Sequence, residues 1–238
     1  MRKIKLAVLA VWAVSIVMIV LARNSSPVLG RTEMPRDQPI VEIRPKTELI
    51  DRFDRSIQRR FLEAPNFGMA RIVPKNPPVE SGHVRSFNPR NEEESESLLA
   101  FGRDKWKVSL HLFGRRAEPK EVKGKQTNKF EIRYRLNDPV SITPELKEKK
   151  IPSPKKLLKY VKQAFIDFQT PDSPNYNNYE FRVGDWAYVA RPVRVPNQSC
   201  LECHTDYVIT AKFDDGRYTF RKRKVGDANG VVVYGFKK

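Results

Sequence analysis

The chain has 238 residues, 45 Lys plus Arg against 28 Asp plus Glu, and a formal net charge of +17 at neutral pH. That length allows one domain with a real core behind a short targeting segment. Two cysteines and three histidines leave a four-ligand structural zinc site only if distant histidines are recruited, and the basic balance suggests nucleic acid only if the chain stays in the cytoplasm.

Residues 1–22 argue that it does not. Arg2, Lys3 and Lys5 precede an uncharged run from Leu6 to Ala22, 17 residues long. As a helix this run would reach roughly 26 Å, short for a membrane span and long for a signal-peptide core. Ala22 leads directly into Arg23, Asn24 and Ser25 without a small-residue cleavage pattern, so an uncleaved signal anchor is expected, with a cleaved signal as the alternative. The basic flank then stays inside and the rest of the chain faces the periplasmic or extracytoplasmic side, which excludes nucleic acid as a partner. Residues 23–46, rich in Pro, Arg and Ser, read as a tether, and residues 47–238 as the globular domain.

Three helices are predicted. Thr47 is placed to cap a helix with Leu49, Phe53, Ile57 and Phe61 on one stripe, ended by Pro65. Asn91 precedes Glu92, Glu93 and Glu94, carboxylates suited to a helix N-terminus, with Leu98, Leu99 and Phe101 following. Ser153 and Pro154 open a third helix that runs to about Gln169, with Leu157, Leu158, Val161, Phe165 and Phe168 facing inward.

Strands fill the remainder. Trp106 to Phe113 alternates, with Trp106, Val108, Leu110 and Leu112 on one side and His111 on the other, predicted to face solvent. Phe130 to Leu136 behaves similarly. Tyr179–Val183 and Trp186–Val195 flank a tight Gly184-Asp185 turn, and Arg217–Val225 and Gly230–Phe236 are expected to pair with each other. Helices followed by antiparallel strands imply an α+β domain.

Directly after the Trp186–Val195 strand comes Cys200-Leu201-Glu202-Cys203-His204. A C-x-x-C-H run carries what is needed to attach one haem c. Two sulfurs at this spacing form thioethers with the vinyl groups, and the adjacent imidazole reaches the iron from the proximal side. The other readings are a zinc site that borrows His83 and His111, a thioredoxin-like dithiol, and a plain disulfide. The dithiol would want a parallel βαβ neighbourhood, and no such pattern surrounds the motif.

Four segments in order carry a resemblance: Arg85-Ser86-Phe87-Asn88-Pro89-Arg90-Asn91, Tyr188-Val189-Ala190-Arg191-Pro192-Val193, Cys200 to His204, and Gly226-Asp227 with Gly230. Together they resemble the single-haem c-type domains with a PAS-like fold, found as periplasmic sensor modules and as stand-alone periplasmic haem proteins. The resemblance implies a PAS-like antiparallel sheet flanked by helices. It also implies Cys200 and Cys203 as thioether anchors, His204 as the proximal iron ligand, and a distal ligand from the N-terminal part. Relatives can use a cysteine or a histidine there, and this chain has no third cysteine. The acidic run Glu92 to Glu96 and the basic segment Lys107 to Lys150 depart from the shorter family pattern.

The distal position stays open among His83, Met69, His111 and no strong protein ligand, with His83 the first candidate. Arg191 is the first choice to pair with a haem propionate, ahead of Arg194 and the Arg221 to Lys224 cluster. Residues 103–162 hold 18 basic and 7 acidic residues, a net of +11. Such a surface suits an acidic redox partner or anionic lipid headgroups, or is merely solvated. The functional expectation is redox or small-ligand sensing by a membrane-anchored monohaem protein, working with a separate redox or signalling partner. A one-electron-transfer cytochrome is the nearest alternative, and a haem enzyme such as a peroxidase is a third for which no acid–base motif speaks.

Overall fold

The computed structural model describes residues 44–63, 85–122, 125–134, 139–143, 151–203, 207–212 and 218–238. All of them belong to one compact unit, Gln38–Lys212 with Tyr218–Lys238. The Leu6–Ala22 segment, His83, Met69 and His204 lie outside the described residues. Among the described residues no helix is long and apolar enough to cross a membrane.

The fold is mixed α and β, an antiparallel sheet flanked by helices. In chain order the elements are α1 (Thr47–Glu63), β1 (Arg85–Ser86), α2 (Glu92–Arg103), β2 (Lys107–Val122), β3 (Lys125–Tyr134), β4 (Val140–Ser141), α3 (Pro154–Asp167), β5 (Tyr179–Val183), β6 (Trp186–Arg194), α4 (Ser199–Cys203), β7 (Tyr207–Lys212), β8 (Tyr218–Lys222) and β9 (Ala228–Lys237). The sheet runs β1-β4-β2-β9-β6-β5, with β3 also paired to β2. Only β1 and β4 are parallel. β7 and β8 form a separate hairpin.

Two sequence expectations are corrected here. The segment expected to pair with Gly230–Phe236 pairs instead with β7, and β9 inserts between β2 and β6. The reason is burial: Val231, Val232, Val233, Tyr234 and Phe236 are all sealed from water, so β9 is apolar on both faces and belongs in the centre of a sheet. His111, predicted to face solvent, is fully buried. Its strand is central too, so the face opposite Val108, Leu110 and Leu112 is covered rather than wet.

One face of the sheet packs Trp106, Val108, Leu110, Leu112, Val189, Val193, Val232, Tyr234 and Phe236 against α1 and α2. The other packs Phe113, Ile132, Phe181, Tyr188, Ala190, Val231 and Val233 against α3. Gly235 on β9 lies between Ser109 and Tyr188, where a Cβ would stand 2.5 Å from Ser109 Oγ and 2.6 Å from the Tyr188 ring. A side chain there would push the two apart.

The helix ends follow the local chemistry in part. Asn91 Oδ1 accepts from Glu94 N at 2.9 Å, a side-chain N-cap. Lys46 O accepts the first bonds of α1, from Leu49 N and Ile50 N, so Thr47 is the first helical residue rather than the cap. Pro154 opens α3 as predicted, but the Ser153 side chain makes no capping bond. Of the apolar residues that follow the acidic turn of α2, Phe101 is buried and Leu99 is 73% exposed. β2 continues well past Phe113. Its residues 115–122 pair only with β3, as a two-stranded arm beyond the edge of β9.

Candidate functional site

β6 delivers the chain to α4, and two backbone bonds fix the exit. Val195 N donates to Asp227 O and Gly226 N donates to Val195 O, each at 2.9 Å. Gly226 has a φ of +89°, a left-handed conformation that glycine adopts without steric cost. Asn197 then starts the short helix, its Oδ1 accepting from Ser199 Oγ at 2.7 Å and Cys200 N at 3.3 Å. Leu201 N donates to Gln198 O. Cys200 is half-buried and free, in no disulfide. Cys203 stands three residues later, at the end of α4.

The surroundings of this turn are built from arginines. Arg194, at the end of β6, donates to Phe168 O, Gly226 O and Tyr176 O at 3.1, 2.9 and 2.7 Å, and its guanidinium lies 4.0 Å from the Tyr176 ring centroid. One side chain thus clasps the end of α3, the loop before β5 and the Gly226 turn. Burial pulls its pKa below the ordinary value. Arg221 holds Asp227 with two bonds, 2.7 and 2.6 Å, and Lys224 N donates to the same carboxylate at 2.7 Å. Burial pushes Asp227 up, but the Arg221 and Lys224 hydrogen bonds outweigh it and the carboxyl is held below its usual value.

Arg191 lies on the opposite face of β6, where it pairs with Asp51 of α1. Beside that pair Tyr234 Oη donates to Asp54 Oδ1 at 2.7 Å, and burial raises the Asp54 pKa despite this bond. His111 faces the α3 side. Its Nε2 is 3.3 Å from Ser109 Oγ and its Nδ1 3.4 Å from Tyr134 Oη, with the Tyr188 ring 6.0 Å away. Burial lowers its pKa to about 3, so the imidazole is neutral at physiological pH.

The structure therefore places Cys200 and Cys203 one turn apart on α4, puts Arg191 across the sheet against Asp51, and encloses His111 within the core. Sequence reasoning missed the Arg194 clasp and the Asp227 clamp. The Gly226-Asp227 pair was visible as a motif, but its bond to Val195 connects segments 31 residues apart, which no local pattern reveals. Among the described residues no group of three or more His, Cys, Asp or Glu side chains is gathered to hold a metal ion.

Cys200 is a half-buried thiol with no competing bond to sulfur, at the start of a helical turn that Asn197 fixes. Among known proteins, the family model described as Tll0287-like matches residues 81–236. No curated protein and no solved structure matches the chain.

Proposed function

Because the chain belongs to the Tll0287-like family, a family of cytochrome c-type, PAS-like sensor domains, we propose that it is an exported, membrane-anchored monohaem protein that senses redox state or a small gaseous ligand. The observation that carries this reading is the C-x-x-C-H run within the matched region, its first thiol free on a capped helical turn. Within the seven-stranded sheet β3, β2, β9, β6 and β5 pair antiparallel, and β9 between β2 and β6 supports the PAS-like reading. Anchoring rests on Arg2, Lys3 and Lys5 before the uncharged Leu6–Ala22 run.

In this reading Cys200 and Cys203 hold one haem c through thioethers and His204 takes the proximal position. A bound haem supplies an iron that changes oxidation state and accepts a diatomic ligand. The residues around α4 do the orienting. Arg194 and Asp227 lock the strand exit and the Gly226 turn, so Cys200 is presented from a fixed backbone. Arg191 would hold a propionate by exchanging Asp51 for it. His111 would have to leave the core to reach an iron, so His83 remains the proposed distal ligand, with Met69 behind it.

Carbon monoxide on the ferrous protein tests sensing. The reading predicts that the gas binds, and binds faster in His83→Ala, whose ferric spectrum moves from low towards high spin with the thioethers intact. A ferrous protein that refuses carbon monoxide in both forms would overturn gas sensing and leave a redox sensor or an electron carrier.

A further inference from the structure

The helices on the two faces of the sheet differ in charge. α1 carries four Arg against four acidic residues and α2 one Arg against four Glu, a net of −3, whereas α3 carries four Lys against Asp167, a net of +3. Lys155, Lys156, Lys159 and Lys162 are all exposed. At helical spacing they share one side of α3, opposite the buried Leu157, Val161, Ala164 and Phe165. Among the described residues none of the four is paired with a carboxylate.

Lys159 lies 4.6 Å from the Tyr160 ring centroid, but folding gives no such reason for Lys155, Lys156 and Lys162 among the described residues. Lys155 and Lys156 sit in the first turn, where the helix dipole disfavours cations, and no acidic residue there offsets them. α3 also packs against β7, the strand that begins three residues after His204. A local rule broken without structural return marks a place where function sets the sequence.

We infer that the exposed lysine side of α3 is the docking surface for a protein partner with an acidic face. Charge complementarity steers such encounters and fixes their orientation without a large apolar patch. The large exposed apolar side chains among the described residues, Leu62, Leu99 and Val225, all lie off α3. Helices that lie in a membrane interface insert apolar groups beside their basic ones, and α3 keeps its apolar side in the core. An acidic protein surface is therefore the occupant that fits, rather than lipid.

The test needs no haem chemistry, so its failure is separate from that of the sensing proposal. Fluorescent poly-L-glutamate serves as the acidic probe for the full chain in detergent at low salt. Replacing Lys155, Lys156, Lys159 and Lys162 with Gln should weaken binding about tenfold or more, while replacing Lys46, Arg55, Arg59 and Arg103 with Gln, an equal loss of charge, should change it by less than about twofold. Equal weakening in the two sets would mean that net charge alone binds the probe, and would overturn the surface. So would an α3 variant that binds poly-L-glutamate normally but no longer sediments with phosphatidylglycerol vesicles, since lipid would then be the occupant. Gln keeps helix propensity at exposed positions, and an unchanged circular dichroism spectrum verifies the fold of both variants.

Discussion

On the α1/α2 face of the sheet a buried ion pair is added to the aromatic packing of Phe53, Phe101 and Tyr234, whereas on the α3 face aromatic packing stands without one among the described residues. Arg60 of α1 reaches Glu94 of α2 in a pair with almost no exposure, joined by Ser56 Oγ donating to Glu94 Oε1 at 3.0 Å. Arg60 also donates to Asn88 O at 2.8 Å and lies over the Phe87 ring, so this pair docks the whole Arg85-to-Asn91 motif. Across the sheet, Tyr160, Phe181 and Tyr188 stack in sequence at 4.6 and 5.1 Å between centroids, almost parallel. The Tyr188 phenol oxygen is buried and makes no hydrogen bond among the described residues. A buried ion pair and edge-to-face aromatic contacts together specify where α1 and α2 sit, and shape alone specifies where α3 sits. The same strands serve both faces because their side chains alternate.

The largest test of this contrast is Glu94→Ala. It leaves Arg60 buried without its carboxylate and should cost about 3–5 kcal/mol, read as a shift in the urea midpoint. A loss below about 1 kcal/mol would mean that packing alone holds α1 to α2.

Acid should separate the faces next. His111 is held near a pKa of about 3 by burial, against an ordinary 6.5, so the unfolded chain binds more protons between these values. Its contribution to stability is therefore whole above pH 6.5 and lost as pH falls towards 3. Asp54, raised by burial, acts in the opposite sense, so the useful quantity is a difference between variants. Between pH 6 and 4.5 wild type should lose about 2 kcal/mol more than His111→Phe. Parallel acid limbs would show that the imidazole is not enclosed.

A pair of single-atom deletions gives the smallest effect. Tyr234→Phe removes the donor to buried Asp54 and should cost about 1–2 kcal/mol. Tyr188→Phe removes a phenol oxygen without a partner and should be neutral or stabilising by up to about 1 kcal/mol. Equal losses in thermal melts would erase the distinction between the faces.

Much of the fold was legible because it is local. The stripe from Phe53 to Phe61, the Asn91 cap and the Gly184 turn are each set by residues within a few positions. The partners of β8 and β9 were not legible, since both read as alternating strands beside a Gly-Asp turn and only three-dimensional burial sends β9 to the centre. His111 failed for the same reason. A single polar residue on the second face of a strand looks exposed unless it is known that α3 covers that face. At the candidate site the cysteine spacing was plain, whereas the Arg194 clasp and the Asp51 partner of Arg191 depend on contacts 18 to 140 residues apart.

The central claim is covalent haem at Cys200 and Cys203, and the pyridine haemochrome of protein made with a working c-type maturation system tests it most directly. The account predicts a c-type band position, haem that stays with the polypeptide after acid-acetone extraction, and loss of both when Cys200→Ala and Cys203→Ala are combined. Stoichiometric zinc in place of haem, or haem that extracts freely from the wild-type chain, would contradict it.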